Sequence, residues 1–171
     1  SRFVFDQLNK GMRGRYVVCN NTDSFEIYDG VFGSDLPIET HCVIDLEGDR
    51  KGRREVKINR LFIDHPNYKP GPNNLVLKIA GARGINLANI NSNVPAKIFL
   101  QVAPDGNKHA ESILVSGCEF FGQINCQKTR VGYLHVRDCH FKGGTNIAFD
   151  NIQNVEYLIV ENCRFDNFLQ M

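Results

Sequence analysis

Glu119, His140 and Arg164 each directly follow a cysteine, and each of those cysteines has a phenylalanine two residues further on. A carboxylate accepts protons and hydrogen bonds, an imidazole exchanges a proton near neutral pH, and a guanidinium grips anions in a planar fork. Arg137 and Glu161 stand two residues before the second and third cysteines, and Tyr133 and Tyr157 stand six before them. If the three cysteines are equivalent points of a repeat, Glu119, His140 and Arg164 form one file on the surface. Arg137 and Glu161 then form a second file, and the tyrosines a third. Such files could bind an acidic sugar or move a proton, and outward tyrosines could serve sugar rings as a platform. The same side chains are equally a ladder of surface ion pairs of little energetic weight. Glu119, Arg137, His140, Glu161, Arg164, Tyr133 and Tyr157 are therefore the candidate ligand-binding set, and no residue is assigned a catalytic role. Glu119 and Glu161 would stand roughly 10 Å apart by strand spacing, marginal for an inverting glycosidase.

The elements that must position these residues follow from three segments that align without gaps. They are 112–120, 133–141 and 157–165, sharing the pattern x-[IL]-x-V-x-[GDN]-C-x-F. Their cysteines, Cys118, Cys139 and Cys163, are 21 and 24 residues apart. Weaker copies precede them, giving the anchor series Gly30, Leu61, Ile90, Cys118, Cys139 and Cys163, with the earlier spacings between 28 and 31 residues. Apolar residues two apart share one face of a strand. Strands this short cannot bury that face alone, so stacked copies must build a continuous core, about six turns of a solenoid.

The residue before each anchor is Asp29, Arg60, Asn89, Gly117, Asp138 or Asn162. Five of the six are types that tolerate left-handed backbone, which predicts a sharp corner that leaves both Val136 and Cys139 facing inward. Phe120, Phe141 and Phe165 should then form an aromatic ladder beside a column of buried thiols, with Phe32 further along. Three cysteines in one column cannot all pair, and a disulfide between directly stacked strands is geometrically demanding.

The Cys-x-Phe turns, the Gly/Asn/Asp corners and the stretch Gly143–Asn151 resemble right-handed parallel β-helix proteins, the superfamily of pectate-lyase-like enzymes and bacteriophage tailspikes. The resemblance covers roughly residues 25 to 168. It implies an all-β, single-stranded right-handed parallel β-helix. Its lyases use an acid-rich calcium cluster, and no Asp-rich column stands here, so no catalytic residue is carried over. It also implies a polysaccharide or cell-surface glycan as partner, an extracellular or virion-surface location, and a trimer. Leucine-rich repeats are the rival architecture, because Val131, Leu134, Val136, Cys139 and Phe141 also fit their spacing. The varied repeat lengths and the strand-like alternation of residues 96–102 and 146–149 count against them.

Composition narrows the remaining classes. The 171 residues are 42% hydrophobic and 23% charged, with net charge +1, so no basic footprint suggests nucleic acid. No apolar run is long enough for a transmembrane helix, so no membrane insertion is expected. There is no P-loop, GxGxxG, HExxH or GxSxG motif and no CxxC pair. Neither a cofactor nor a metal is expected, with His41-Cys42 only a weak hint of one. A sequon-like Asn20-Asn21-Thr22 stands near the start. Residues 46–54, 64–74 and 103–109 read as loops rich in charge, proline or glycine, and none divides the chain. Residues 1–171 are expected to form one β-helix domain, a segment of a longer solenoid. Outward Leu114, Ile159 and Phe62 suggest a covered surface, either by the chain's own loops or by other copies of it.

Overall fold

The computed structural model describes residues 3–6, 14–19, 24–33, 40–46, 53–64, 75–103, 109–143 and 147–166. In chain order the strands are β1 (Phe3–Asp6), β2 (Gly14–Cys19), β3 (Ser24–Gly33), β4 (Thr40–Leu46), β5 (Arg53–Asp64), β6 (Leu75–Ala80), β7 (Ala82–Ser92) and β8 (Ile98–Ala103). They continue with β9 (Ala110–Ser116), β10 (Glu119–Phe120), β11 (Gln123–Asn125), β12 (Val131–Arg137), β13 (His140–Phe141), β14 (Phe149–Asp150), β15 (Val155–Glu161) and β16 (Arg164–Phe165). No helix occurs among the described residues. One sheet stacks β14, β11, β8, β6, β4 and β2, and the other stacks β1, β3, β5, β7 and the paired short strands that follow. The chain passes from one sheet to the other and back, and each pass lands beside the last in parallel register. This is a parallel β-solenoid. About four turns, starting at β6, β8, β11 and β14, are described almost throughout. The earlier strands extend the same two stacks.

The spacing-two pattern explains the core. Val56, Ile58, Ile85, Leu87, Ile113, Val115, Leu134 and Val136 all point inward and are buried. Their strand neighbours Lys57, Asn86, Leu114 and His135 face outward in one file, in register from turn to turn. Phe120 and Phe141 are fully buried, with ring centroids 4.6 Å apart, and Phe141 stacks on Phe165 at 4.7 Å. The expected aromatic ladder is therefore present. Phe99, from the opposite sheet, stacks on Phe120 at 3.8 Å and extends it across the core.

All six residues before the anchors have left-handed backbone, with φ between 50° and 59°. Arg60, the one residue of an unfavourable type, adopts it too. Its guanidinium forks onto Asp29 in the same column one turn away, with Nη2 2.8 Å from Oδ2. At the anchor itself, Gly30 leaves room for Leu61, whose Cδ2 lies 2.5 Å from where a β-carbon would be and would have to move to admit one.

The cysteine anchors have a further reason. At Leu61 and Ile90 the strand runs unbroken through the corner, whereas at Cys118, Cys139 and Cys163 it is interrupted. There the thiol donates to backbone carbonyls beside the corner, some of which also accept a backbone N–H from an adjacent turn. Cys139 Sγ reaches Arg137 O at 3.1 Å and Val115 O, one turn away, at 3.6 Å. Cys118 and Cys163 repeat this pattern onto Leu87 O and Val136 O. Cys118, Cys126, Cys139 and Cys163 are all free thiols. A small apolar residue with a weak donor suits the inside of such a corner.

Strands β1 and β2 lie outside the span in which the sequence pattern is legible. Phe3 of β1 pairs with Gly30 and so continues the anchor column upstream. The loops expected at 46–54, 64–74 and 103–109 fall mostly outside the described residues. The Asn20-Asn21-Thr22 triplet, His65 and the side chains of His41, Cys19 and Cys42 also fall outside them.

Candidate functional site

The register places every candidate residue in the file that the anchor numbering assigns to it. Glu119 pairs with His140, and His140 with Arg164. Tyr133 pairs with Tyr157, and Arg137 with Glu161. The left-handed corner lies between these two sets. The seven residues therefore form two clusters on two faces of the solenoid, not one site.

After the corner, His140 is the hub. Its Nε2 lies 2.6 Å from Asp166 Oδ2, and its Nδ1 lies 3.7 Å from Glu119 Oε1. Asp166 Oδ1 also takes Arg164 Nε at 2.9 Å. The hydrogen bond from His140, and then that from Arg164, hold the Asp166 carboxyl below its ordinary value. Lys142 Nζ closes the other side, 3.0 Å from Glu119 Oε1 and 2.9 Å from Asn93 Oδ1, above the Phe121 ring. Glu119 and Asp166 are each met from the turn of His140 and Lys142, and Arg164 is met by Asp166 of its own turn. Asp166 and Lys142 were not among the candidates. Both stand three residues after an anchor, the next outward position in the period of two, so extending the count by one step would have found them.

Before the corner, the Tyr133 and Tyr157 rings stack with centroids 4.9 Å apart and planes 13° from parallel. They remain 53% and 56% exposed, so the stack does not hide them. His135 Nε2 lies 3.0 Å from Glu161 Oε2, and Arg137 is exposed beside Glu161. At the start of the same strands, Arg83 bonds Glu111 through Nε at 2.8 Å, and Arg130 bonds Glu156 at 2.9 Å. This face combines flat apolar rings with fixed, mutually paired polar groups.

The outward apolar residues do not form a single patch. Ile159 is 40% exposed and shares a file with half-buried Leu114. Phe62 lies beyond the corner, in the file of Asn91 and Glu119.

Among the described residues, no three His, Cys, Asp or Glu side chains are grouped to hold a metal ion. The fold and these faces define a parallel β-solenoid with an exposed aromatic pair. No family model, curated protein or solved structure matches the chain.

Proposed function

We propose that this chain is a carbohydrate-engaging β-solenoid segment, of the kind found in tailspikes and surface adhesins, working at a virion or cell surface on a polysaccharide or cell-surface glycan. The observation that carries it is the exposed Tyr133–Tyr157 stack, held in register by adjacent strands. A sugar ring has an apolar C–H face and a rim of hydroxyls. An aromatic ring in a rigid frame meets the face, and the paired His135 and Glu161, with the exposed Arg137 beside them, meet the rim. The frame is rigid because each tyrosine sits on a strand paired to its neighbour, so little ordering entropy is lost on binding.

A glycan array probed with the full chain tests this reading. Binding that Tyr133→Ala with Tyr157→Ala abolishes supports it. Failure to bind any neutral or acidic glycan rejects it and leaves a solenoid that serves only to space other modules.

A second reading, polysaccharide lyase or glycoside hydrolase, is favoured by one observation, the imidazole of His140 held between two carboxylates. Shortening of a polymer by the chain, lost in Glu119→Gln and kept in Tyr133→Ala, would move the function to that face.

A further inference from the structure

The tyrosine ladder stops where its register does not. The file that holds Tyr157 and Tyr133 continues through Ser112 and Gly84 to Glu55, each paired to the next. The two tyrosine rings lie nearly parallel, one per turn. One face of Tyr133 is therefore covered by Tyr157, and its other face looks along the solenoid toward Ser112. At that rung the side chain is only a hydroxymethyl group, exposed, and at the next there is none. The result is a notch two rungs long. Tyr133 is its end wall, Ser112 and Gly84 are its floor, and Glu55 is its far end.

The borders of the notch are mostly polar, and their described charges are paired. Along one side the exposed Arg83–Glu111 ion pair spans the same two strands as the floor. Along the other side stand Asn86, exposed, and Leu114, half-buried. Glu55 is paired to Lys57 at 2.9 Å. Among the described residues, each of these border charges has an opposite partner, so an anionic ligand would have to break a pair to enter.

We infer that this notch is a subsite for one or two pyranose rings of a neutral oligosaccharide, the first ring stacking on the free face of Tyr133 in the place a third tyrosine would occupy above Ser112. Stacked strands repeat at about 4.8 Å, and the tyrosine rings keep that interval, so a flat ring set one rung further is in stacking contact with Tyr133. Its C–H face meets the phenol ring. Its hydroxyl rim lies level with the Ser112 hydroxyl, the Asn86 amide and the Arg83–Glu111 pair, which supply both donors and acceptors. Glucose-like and mannose-like sugars present such a face and rim without charge. This inference rests on the carbohydrate reading above and adds to it which aromatic face is used and which sugar class is taken.

The test uses the full chain with a panel of neutral hexaoses (cello-, malto-, xylo- and manno-) and one acidic hexaose, an oligogalacturonate. Binding is followed by saturation-transfer NMR from the tyrosine protons and by the change in tyrosine fluorescence, which is free of tryptophan because the chain has none. At least one neutral hexaose should bind. Ser112→Tyr, which fills the notch with a protein ring, and Tyr133→Ala, which removes its wall, should each weaken binding about tenfold or more, the scale of losing one aromatic anchor. Tyr157→Ala and Ser112→Ala should stay within about threefold, since Tyr157 lies behind the wall and the serine contributes one hydroxyl. Circular dichroism and thermal melting check that Ser112→Tyr is folded, and Ser112→Phe provides a second filling variant. A neutral hexaose that binds wild type and Ser112→Tyr equally overturns the notch and leaves carbohydrate binding standing. Binding of the acidic hexaose alone overturns the neutral class. No binding by any hexaose overturns the notch, and a silent glycan array besides would remove the broader reading.

Discussion

Asn89 Oδ1 occupies the space above Gly117, 2.7 Å from where a β-carbon on that glycine would stand. The two residues are successive members of the corner column, both with left-handed backbone. Asn89 in turn donates from Nδ2 to Asn59 Oδ1 at 3.1 Å, so its side chain is not free to swing away without losing a bond. Gly117→Ala should therefore destabilise the chain by about 1–2 kcal/mol, mostly through left-handed strain on the new β-carbon. Asp138→Gly, at the equivalent corner, should change stability by less than about 1 kcal/mol, because it loses a side chain but relieves the same strain. Urea unfolding of both variants checks the contrast, and equal losses would discount the strain argument.

The aromatic ladder should carry a large share of the core energy. Phe120 touches Phe99 and Phe141 and is fully buried. Phe120→Ala should cost about 3–5 kcal/mol, the range for removing a buried ring whose neighbours cannot collapse into the space. Phe120→Leu should cost clearly less. Chemical denaturation with a constant slope would read both values.

Thiol reactivity should follow burial. Burial pushes Cys126 up to about 12. The neighbouring Cys139 thiol, and then burial, hold Cys118 well above the ordinary thiol value. Burial also raises Cys163, but that residue is only partly covered. Alkylation of the native chain at neutral pH, mapped by peptide mass spectrometry, should modify Cys163 first among these four and leave Cys118 and Cys126 unmodified until the chain unfolds. Early labelling of Cys118 would show that the core opens locally.

Asp166 gives the His140 cluster an acid-side signature. Its folded carboxyl titrates lower than it would in the unfolded chain, first because His140 bonds it and then because Arg164 does. A depressed carboxyl contributes stability above the ordinary carboxylate range, and the contribution disappears as pH falls through the depressed value. Asp166→Asn should thus be less stable than wild type near neutral pH, and the two should converge in strong acid. Because these groups are exposed, salt should shrink the difference. A gap between the two proteins that is independent of pH would mean that Asp166 acts through packing instead.

We propose, from the resemblance to tailspikes alone, that the chain assembles as a homotrimer, and light scattering with sedimentation measures it. Ile159 is an exposed apolar residue two positions from Tyr157 on the same strand, so Ile159→Lys should dissociate an assembly that uses that face. Phe62→Lys should leave it intact, because Phe62 faces another way. A monomer near 19.4 kDa at all concentrations would end the proposal.

The sequence alone determined the solenoid, and the reason is periodicity. In a stacked fold, one strand's alternation and one corner residue recur at every turn, so Cys118, Cys139 and Cys163 could be aligned by inspection. That alignment then set the register of Glu119 with His140 and of Tyr133 with Tyr157, since adjacent strands pair equivalent positions. It did not reach β1 and β2, which precede the first recognisable copy of the pattern, and it gave no reason for a left-handed backbone at Arg60, whose guanidinium meets Asp29 one turn away. Only the tertiary structure decided that the candidates divide at the corner. A sequence column gives the order along the solenoid axis, but the direction in which a side chain leaves the surface depends on how sharply the backbone bends at Asp138 and Asn162. The same bend brought Asp166 and Lys142 onto His140 and Glu119. The free face of Tyr133 also needs the tertiary structure, because a ring's open side is set by how it lies against Tyr157, and that arrangement exists only once the strands are stacked.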